Sequence, residues 1–181
     1  MRLFVALLPP QEAARELGAP VARAQALPGA GRLRWTERSG WHFTLAFLGE
    51  VDDGLVPAIG SLIARTAQHH VPFALRIAGG GRFGDRALWA GAAGDVDAVE
   101  RLAESVGEAA REAGAPPEGA HPYVPHLTLA RGDGSTALTP YAETLDGFVS
   151  SPWTVRDLAL VRSGVRPRYE VVASRPLGAA K

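Results

Sequence analysis

The tetrapeptide His-x-Thr-Leu stands twice in this chain, as His42-Phe43-Thr44-Leu45 and as His126-Leu127-Thr128-Leu129, once in each half of its 181 residues. The pattern constrains what the chain can build. Successive side chains of a strand point to opposite faces, so His42 and Thr44 share one face while Phe43 and Leu45 share the other. The second copy repeats the arrangement, with His126 and Thr128 outward and Leu127 and Leu129 buried behind them. Each strand then offers an imidazole and a hydroxyl to a cleft while its apolar face anchors it in a core. Unperturbed imidazole titrates near pH 6.5, so of two rings facing one another one accepts a proton while its partner donates one.

Composition narrows the chemistry. The chain has no cysteine, which excludes a disulfide framework, a thiol nucleophile and a cysteine zinc site. There is no His-Glu-x-x-His and no carboxylate cluster at ligand spacing, so neither a metal nor another cofactor is expected. The formal net charge is zero, so nucleic-acid binding must come from a local patch. The basic residues are almost all arginine, the only lysine being Lys181; arginine suits planar, bidentate phosphate recognition, although genome bias also produces such a composition. The short apolar run Leu3–Leu8 is too brief for a signal peptide or a membrane span and reads as a buried first strand. A cytoplasmic protein is expected, with no membrane partner and as a monomer.

The periodicities predict an alternation of helices and strands. Gln11–Leu27 reads as a helix broken near Gly18 and Pro20, Arg32–Trp35 as a short strand, and Trp41–Leu48 as the first motif strand. Asp52 or Asp53 is placed to cap a helix running to about His69, with Pro57 in its first turn. Pro72–Ile77 and Ala87–Gly91 read as strands joined by a turn at Gly79–Gly84. Asp95 caps an amphipathic helix to about Ala113 carrying Val99, Leu102 and Val106 on one side. Beyond a proline-rich break at Gly114–Pro122, Val124–Ala130 is the second motif strand, Leu138–Leu145 a short helix, and Val155–Arg162 with Tyr169–Ser174 a closing hairpin. The class is α+β or α/β, with short connectors favouring antiparallel pairing.

With these residues the chain resembles the two-histidine phosphoesterase superfamily. Within it, the chain is similar to the RNA 2′,3′-cyclic phosphodiesterases (ThpR or LigT-like 2′-5′ RNA ligases). The likeness is carried by Leu3–Leu7, by Trp41–Glu50 (WHFTLAFLGE), by Gly81–Gly84, by Ala87–Gly91, by Pro125–Arg131 (PHLTLAR) and by Leu160–Ser163. It implies an α+β, bilobal fold in which each lobe is a mainly antiparallel sheet with helices on its outer face. The central cleft then carries both motifs, and residues 1–181 form one domain. It also implies metal-independent hydrolysis of a terminal 2′,3′-cyclic phosphate on RNA to a 2′-phosphomonoester, with 2′-5′ joining of RNA ends as the reverse type of reaction. By the same resemblance His42 matches the proton donor to the leaving 3′-oxygen and His126 the proton acceptor for water. Thr44 and Thr128 would donate to the non-bridging oxygens, and Arg131 matches a substrate-binding basic position.

Strict alternation sends Arg131 to the face opposite His126, so it reaches the cleft only if the strand ends or curls at Gly132. Arg32, Arg34, Arg38, Arg162, Arg166 and Arg168 are candidates for RNA backbone contacts. Trp35, Trp41 and Tyr123 are candidates for base stacking. His69 and His70 read as solvated at a helix end, and His121 lies in a loop before the second motif. Two other functions fit the same residues: a non-catalytic RNA-end or nucleotide-binding module, and a phosphodiesterase for another small cyclic phosphate, such as ADP-ribose 1″,2″-cyclic phosphate.

Overall fold

In the computed structural model, which describes residues 1–118, 123–164 and 167–178, the chain is α+β. Its strands in chain order are β1 (Arg2–Leu7), β2 (Arg34–Trp35), β3 (Phe43–Glu50), β4 (Phe73–Phe83), β5 (Ala87–Gly94), β6 (Leu127–Arg131), β7 (Trp153–Val155), β8 (Asp157–Ser163) and β9 (Tyr169–Pro176). The helices are α1 (Gln11–Gln25), α2 (Val56–Gln68), α3 (Val96–Glu112) and α4 (Thr139–Glu143). All ladders are antiparallel and join in one sheet of order β7-β4-β5-β6-β3-β1-β8-β9, with β2 added to β6. The two motif strands are therefore neighbours, linked through the pair Phe43 and Leu127. Helices α2 and α3 pack beside β3, β8 and β9, and α1 and α4 beside β4 and β5. Among the described residues no helix is long and apolar enough to cross a membrane.

Strand β1 shows how the sheet divides its faces. Leu3, Val5 and Leu7 enter the main core with helical residues such as Leu17, Ile59, Ile63 and Leu102. Phe4 and Ala6 turn the other way and cluster with Ala159, Val161 and Tyr169. One face is thus sealed by helices and the other carries a small aromatic-lined hollow. Asp95 accepts a hydrogen bond from the Ala98 amide at 3.1 Å and starts α3 as its cap. Asp52, by contrast, accepts from the Gly54 amide and caps the short 3₁₀ turn before α2 rather than α2 itself.

Three elements differ from the sequence expectation. Helix α1 runs unbroken through Gly18 and Pro20. Pro20 removes one backbone hydrogen bond at a cost of roughly 3 kcal/mol, which burial of Leu17 and Val21 at about 1.5–3 kcal/mol each offsets. Val155, expected to open the closing hairpin, instead ends a separate edge strand Trp153–Val155 on β4, and the hairpin strand starts at Asp157; three residues are too few to show periodicity. Most of the run 79–84 is not a turn: β4 continues through it to Phe83, with its register shifting between Ile77 and Gly80, and only Gly84 enters the turn to β5.

The reason lies in what packs on the glycines. Gly79 adopts φ +60°, and a Cβ on Gly80 would come within 2.7 Å of the Trp89 carbonyl oxygen and into the Leu145 side chain. A Cβ on Gly81 would meet the Trp89 indole at 2.5 Å, so the run is flat in order to seat that ring. Gly80→Ala is accordingly expected to destabilise the protein by about 1–3 kcal/mol, read from the midpoint of urea unfolding; an unchanged midpoint would contradict this packing.

Candidate active site

The two motifs share more than their tetrapeptide. Each continues into alanine, as His42–Ala46 and His126–Ala130, and each bends its strand at the same place. On β3, Thr44 and Ala46 face the adjacent β1 residues Ala6 and Val5, leaving Leu45 as an extra residue. On β6, Thr128 and Ala130 face the adjacent β5 residues Trp89 and Leu88, leaving Leu129 as the extra one. Each is a β-bulge, which restores to the original face a side chain that strict alternation would send behind the sheet. The residue after each Ala, Phe47 on β3 and Arg131 on β6, therefore joins Thr44 and Thr128 in the wall of one cavity. Arg131 thus reaches the cleft through the bulge at Leu129 and needs no curl at Gly132.

Both histidines stand one residue before the regular ladder, and for the same reason. His42 Nδ1 lies 2.7 Å from the Gly40 carbonyl oxygen, and His126 Nδ1 lies 2.7 Å from the Val124 carbonyl oxygen. A carbonyl only accepts, so Nδ1 carries the hydrogen in each ring and Nε2 is left for chemistry. The expected strands Trp41–Leu48 and Val124–Ala130 are shortened at their starts to Phe43 and Leu127, because these carbonyls serve the rings and Pro125 has no N–H for a ladder. Antiparallel alternation about Phe43 and Leu127 sets His42 beside Thr128 and His126 beside Thr44.

Aromatic rings fix the imidazoles from behind. His42 stacks on Phe4 with ring centroids 4.6 Å apart and meets the edge of Tyr169 at 5.3 Å. His126 meets Phe83 edge-on at 4.9 Å and Trp89 at 6.1 Å. Burial against these rings is the main cause holding both imidazoles below their ordinary pKa; hydrogen bonding of Nδ1 to the carbonyl pulls the other way. Repulsion by Arg131 lowers both, and His126 adds repulsion at His42.

The cavity holds about 310 Å³ and is walled by His42, Thr44, Thr128 and Arg131. His126 is not part of that wall but borders it closely enough for its charge to act on His42. Of the further arginines considered from sequence, Arg34 and Arg168 line the cavity. Arg38 instead lies over Trp41, 5.9 Å from the ring centroid, and Arg162 pairs with Glu170 at 2.8 Å. Arg32 is exposed beyond the wall, while Arg166 and His121 fall outside the described residues.

Trp41 is buried, its indole donating to the Thr36 carbonyl at 3.1 Å. Tyr123 donates its hydroxyl to the Thr44 carbonyl at 2.9 Å, a tie to β3 that removes it from stacking, and burial pushes its pKa well up. Trp35 does line the cavity. His69 and His70 lie at the end of α2, away from it. Sequence reasoning missed Arg2, Phe4, Phe47 and Tyr169, all of which line the cavity, and the Phe83 and Trp89 packing. The repeated Ala after each motif and the Arg2, Phe4, Ala6 alternation in β1 were the available signals. Among the described residues no group of three or more His, Cys, Asp or Glu is placed to hold a metal ion.

Known proteins resemble this chain in sequence and in fold. The RNA 2′,3′-cyclic phosphodiesterase of Thermus thermophilus is 32% identical over 186 residues, covering 94% of this chain and 86% of that protein. The one from Geobacillus stearothermophilus is 32% identical over 79% of this chain, which spans only 47% of that protein's length. The crystal structure of TT0787 of Thermus thermophilus superposes with a TM-score of 0.79 at 28% identity, covering 100% of both chains. That of apo LigT from E. coli gives 0.77 at 27% identity over 98% of this chain and 97% of that one. The profile of the 2′-5′ RNA ligase superfamily matches residues 9–166, more than half of the chain, and the chain belongs to that superfamily.

Proposed function

We propose that this protein hydrolyses the terminal 2′,3′-cyclic phosphodiester of RNA to a 2′-phosphomonoester by paired-histidine acid–base catalysis. The observation that carries the reading is the matched pair of imidazoles, each with Nδ1 tied to a carbonyl and Nε2 left free: His42 in the wall of the cavity with Thr44, Thr128 and Arg131, and His126 at its border. The two halves of the sheet, β7-β4-β5-β6 with α1 and α4 and β3-β1-β8-β9 with α2 and α3, are read as two lobes of one domain, each supplying one motif strand to the cleft.

In-line displacement places the attacking and leaving oxygens on opposite sides of phosphorus, so the acid and the base must come from different strands. Neutral His126 accepts a proton from water through Nε2 as the water oxygen bonds to phosphorus. The P–O3′ bond breaks and protonated His42 gives its Nε2 proton to O3′, leaving the phosphate on O2′. This donor and acceptor assignment follows the family pattern, since the two rings are alike in their surroundings. Thr44 and Thr128 donate hydroxyl hydrogen bonds to the non-bridging oxygens, where negative charge accumulates, and the Arg131 guanidinium pairs with the same phosphate. A 5′-hydroxyl in place of water gives a 2′-5′ linkage through the same proton transfers. Every proton transfer is supplied by the chain's own residues. The names of the relatives support the substrate class, and the crystal structure of E. coli LigT complexed with 3′-AMP supports a nucleotide as ligand.

Purified protein with 2′,3′-cyclic AMP and EDTA is expected to release adenosine 2′-monophosphate. His42→Ala and His126→Ala should each lower kcat by roughly 10²–10⁴. A wild-type rate surviving His126→Ala would remove the general-base role. Loss of turnover on chelation would remove the metal-free mechanism, and binding without turnover would favour the nucleotide-binding module instead.

The pH dependence follows from the shifts. Activity needs one neutral and one protonated ring, so the rate is bell-shaped between the two macroscopic pKa values of the pair. Both imidazoles lie below their ordinary value, which puts the maximum of kcat/KM in the free enzyme on the acid side of about pH 6.5. Arg131 repels a proton on either ring, so Arg131→Gln should raise both pKa values and move the maximum to higher pH while lowering its height. A maximum that stays put or moves to lower pH would contradict Arg131 as a charge acting on both rings.

A further inference from the structure

One arginine is sufficient for the reacting phosphate, yet three more line the cavity: Arg2, Arg34 and Arg168. Arg34 faces Arg131 directly across the β2–β6 ladder and so belongs to the same end of the cavity. Arg2 and Arg168 sit elsewhere. Arg2 is two residues before Phe4 on the same face of β1, a displacement of ~6.8 Å along the strand, and Phe4 is the ring on which His42 stacks. Arg168 lies over Tyr169, 5.7 Å from the ring centroid, and Tyr169 packs edge-on against His42. Both arginines are therefore one aromatic ring removed from the His42 side of the cleft, away from Arg131.

Arg168 Nε donates to the Tyr169 hydroxyl at 3.5 Å, and the Glu37 carboxylate acts on its charge from beyond ion-pair distance. Among the described residues neither Arg2 nor Arg168 forms an ion pair with a carboxylate. Glu50 faces Arg2 across the β1–β3 ladder, but its carboxylate lies 3.4 Å from the amino terminus. Both arginines are exposed, and exposed, unpaired guanidinium groups beside a cavity offer the fork geometry that phosphate oxygens match.

We propose that Arg2 and Arg168 form a second anion subsite, which receives the phosphodiester one nucleotide upstream of the terminal cyclic phosphate, so that the cleft selects RNA ends over mononucleotides. This rests on the phosphodiesterase reading and extends it to specificity. Phe4 and Tyr169 lie between the two phosphate sites and give the intervening ribose and base an apolar surface. The cyclic phosphate of a mononucleotide occupies the His42, Thr44 and Thr128 site and leaves the second subsite without a ligand.

The test compares kcat/KM for 2′,3′-cyclic AMP with that for the dinucleotide ApA ending in a 2′,3′-cyclic phosphate. The ratio should favour the dinucleotide by about tenfold or more, and in the double variant Arg2→Ala, Arg168→Ala it should fall towards unity. A dinucleotide whose internal linkage is an uncharged methylphosphonate should lose the same advantage on the wild-type protein, which separates lost charge from damaged folding. A wild-type ratio near unity overturns the subsite, as does a ratio that the double variant and the methylphosphonate leave unchanged. Absence of turnover on both substrates overturns the phosphodiesterase reading, and the subsite with it.

Discussion

Among the described residues the ladder that joins the two halves of the sheet holds a single residue pair, Phe43 on β3 and Leu127 on β6. Both side chains are fully buried, so the junction is anchored by burial of two large apolar groups, each contributing about 1.5–3 kcal/mol, and not by a long ladder. That register has a consequence for chemistry. Because the x position of each His-x-Thr-Leu motif is the paired residue, each histidine stands across from the threonine of the other motif. A slip of one residue would turn the whole set behind the sheet, so the apolar pair fixes the polar constellation on the opposite face.

The bulges at Leu45 and Leu129 complete the arrangement. A regular strand alternates and could not place His126, Thr128 and Arg131 on one face. The extra leucine is buried on both sides of the cleft, so the irregularity is stabilised by the same core that holds the strand. Two equivalent bulges on strands remote in sequence give the site approximate two-fold character. Its asymmetry lies in the residue after each motif's alanine: an aromatic ring, Phe47, on one side and a guanidinium, Arg131, on the other.

Electrostatically the site sets opposing demands on one small volume. In the proposed reaction Arg131, which would attract phosphate, also repels the proton that one imidazole must carry, and burial against Phe4, Tyr169, Phe83 and Trp89 acts in the same direction. A bound phosphate reverses part of this, since a negative charge at the cavity favours protonation of the ring beside it. In the proposed reaction the substrate itself readies the site for proton donation, while the Nδ1 bonds to Gly40 and Val124 keep both rings oriented before it arrives.

Much of this was legible in the residues. The repeated motif pointed to His42, Thr44 and Thr128, which line the cavity, and to His126 at its border, and its alternation assigned Phe43, Leu45, Leu127 and Leu129 to the core. Helix α3 followed from its periodicity and the Asp95 cap. Alternation alone failed at Arg131, because a bulge depends on the partner strand and leaves only the faint mark of two consecutive buried residues, Leu129 and Ala130. The glycine run misled for a similar reason: its role is to seat Trp89, a contact between strands that no local pattern encodes. Tyr169 and Arg2 were invisible as site residues because the β8–β9 hairpin and the first strand reach the cleft only through the sheet order. The most direct measurement is a long-range ¹H–¹⁵N correlation spectrum of the histidine rings, recorded with and without adenosine 2′-monophosphate. Nδ1–H tautomers are expected for His42 and His126 in the free protein, with both Nε2 resonances perturbed by one equivalent of ligand. A response confined to one ring, or an Nε2–H tautomer in either, would contradict two imidazoles acting on one phosphorus.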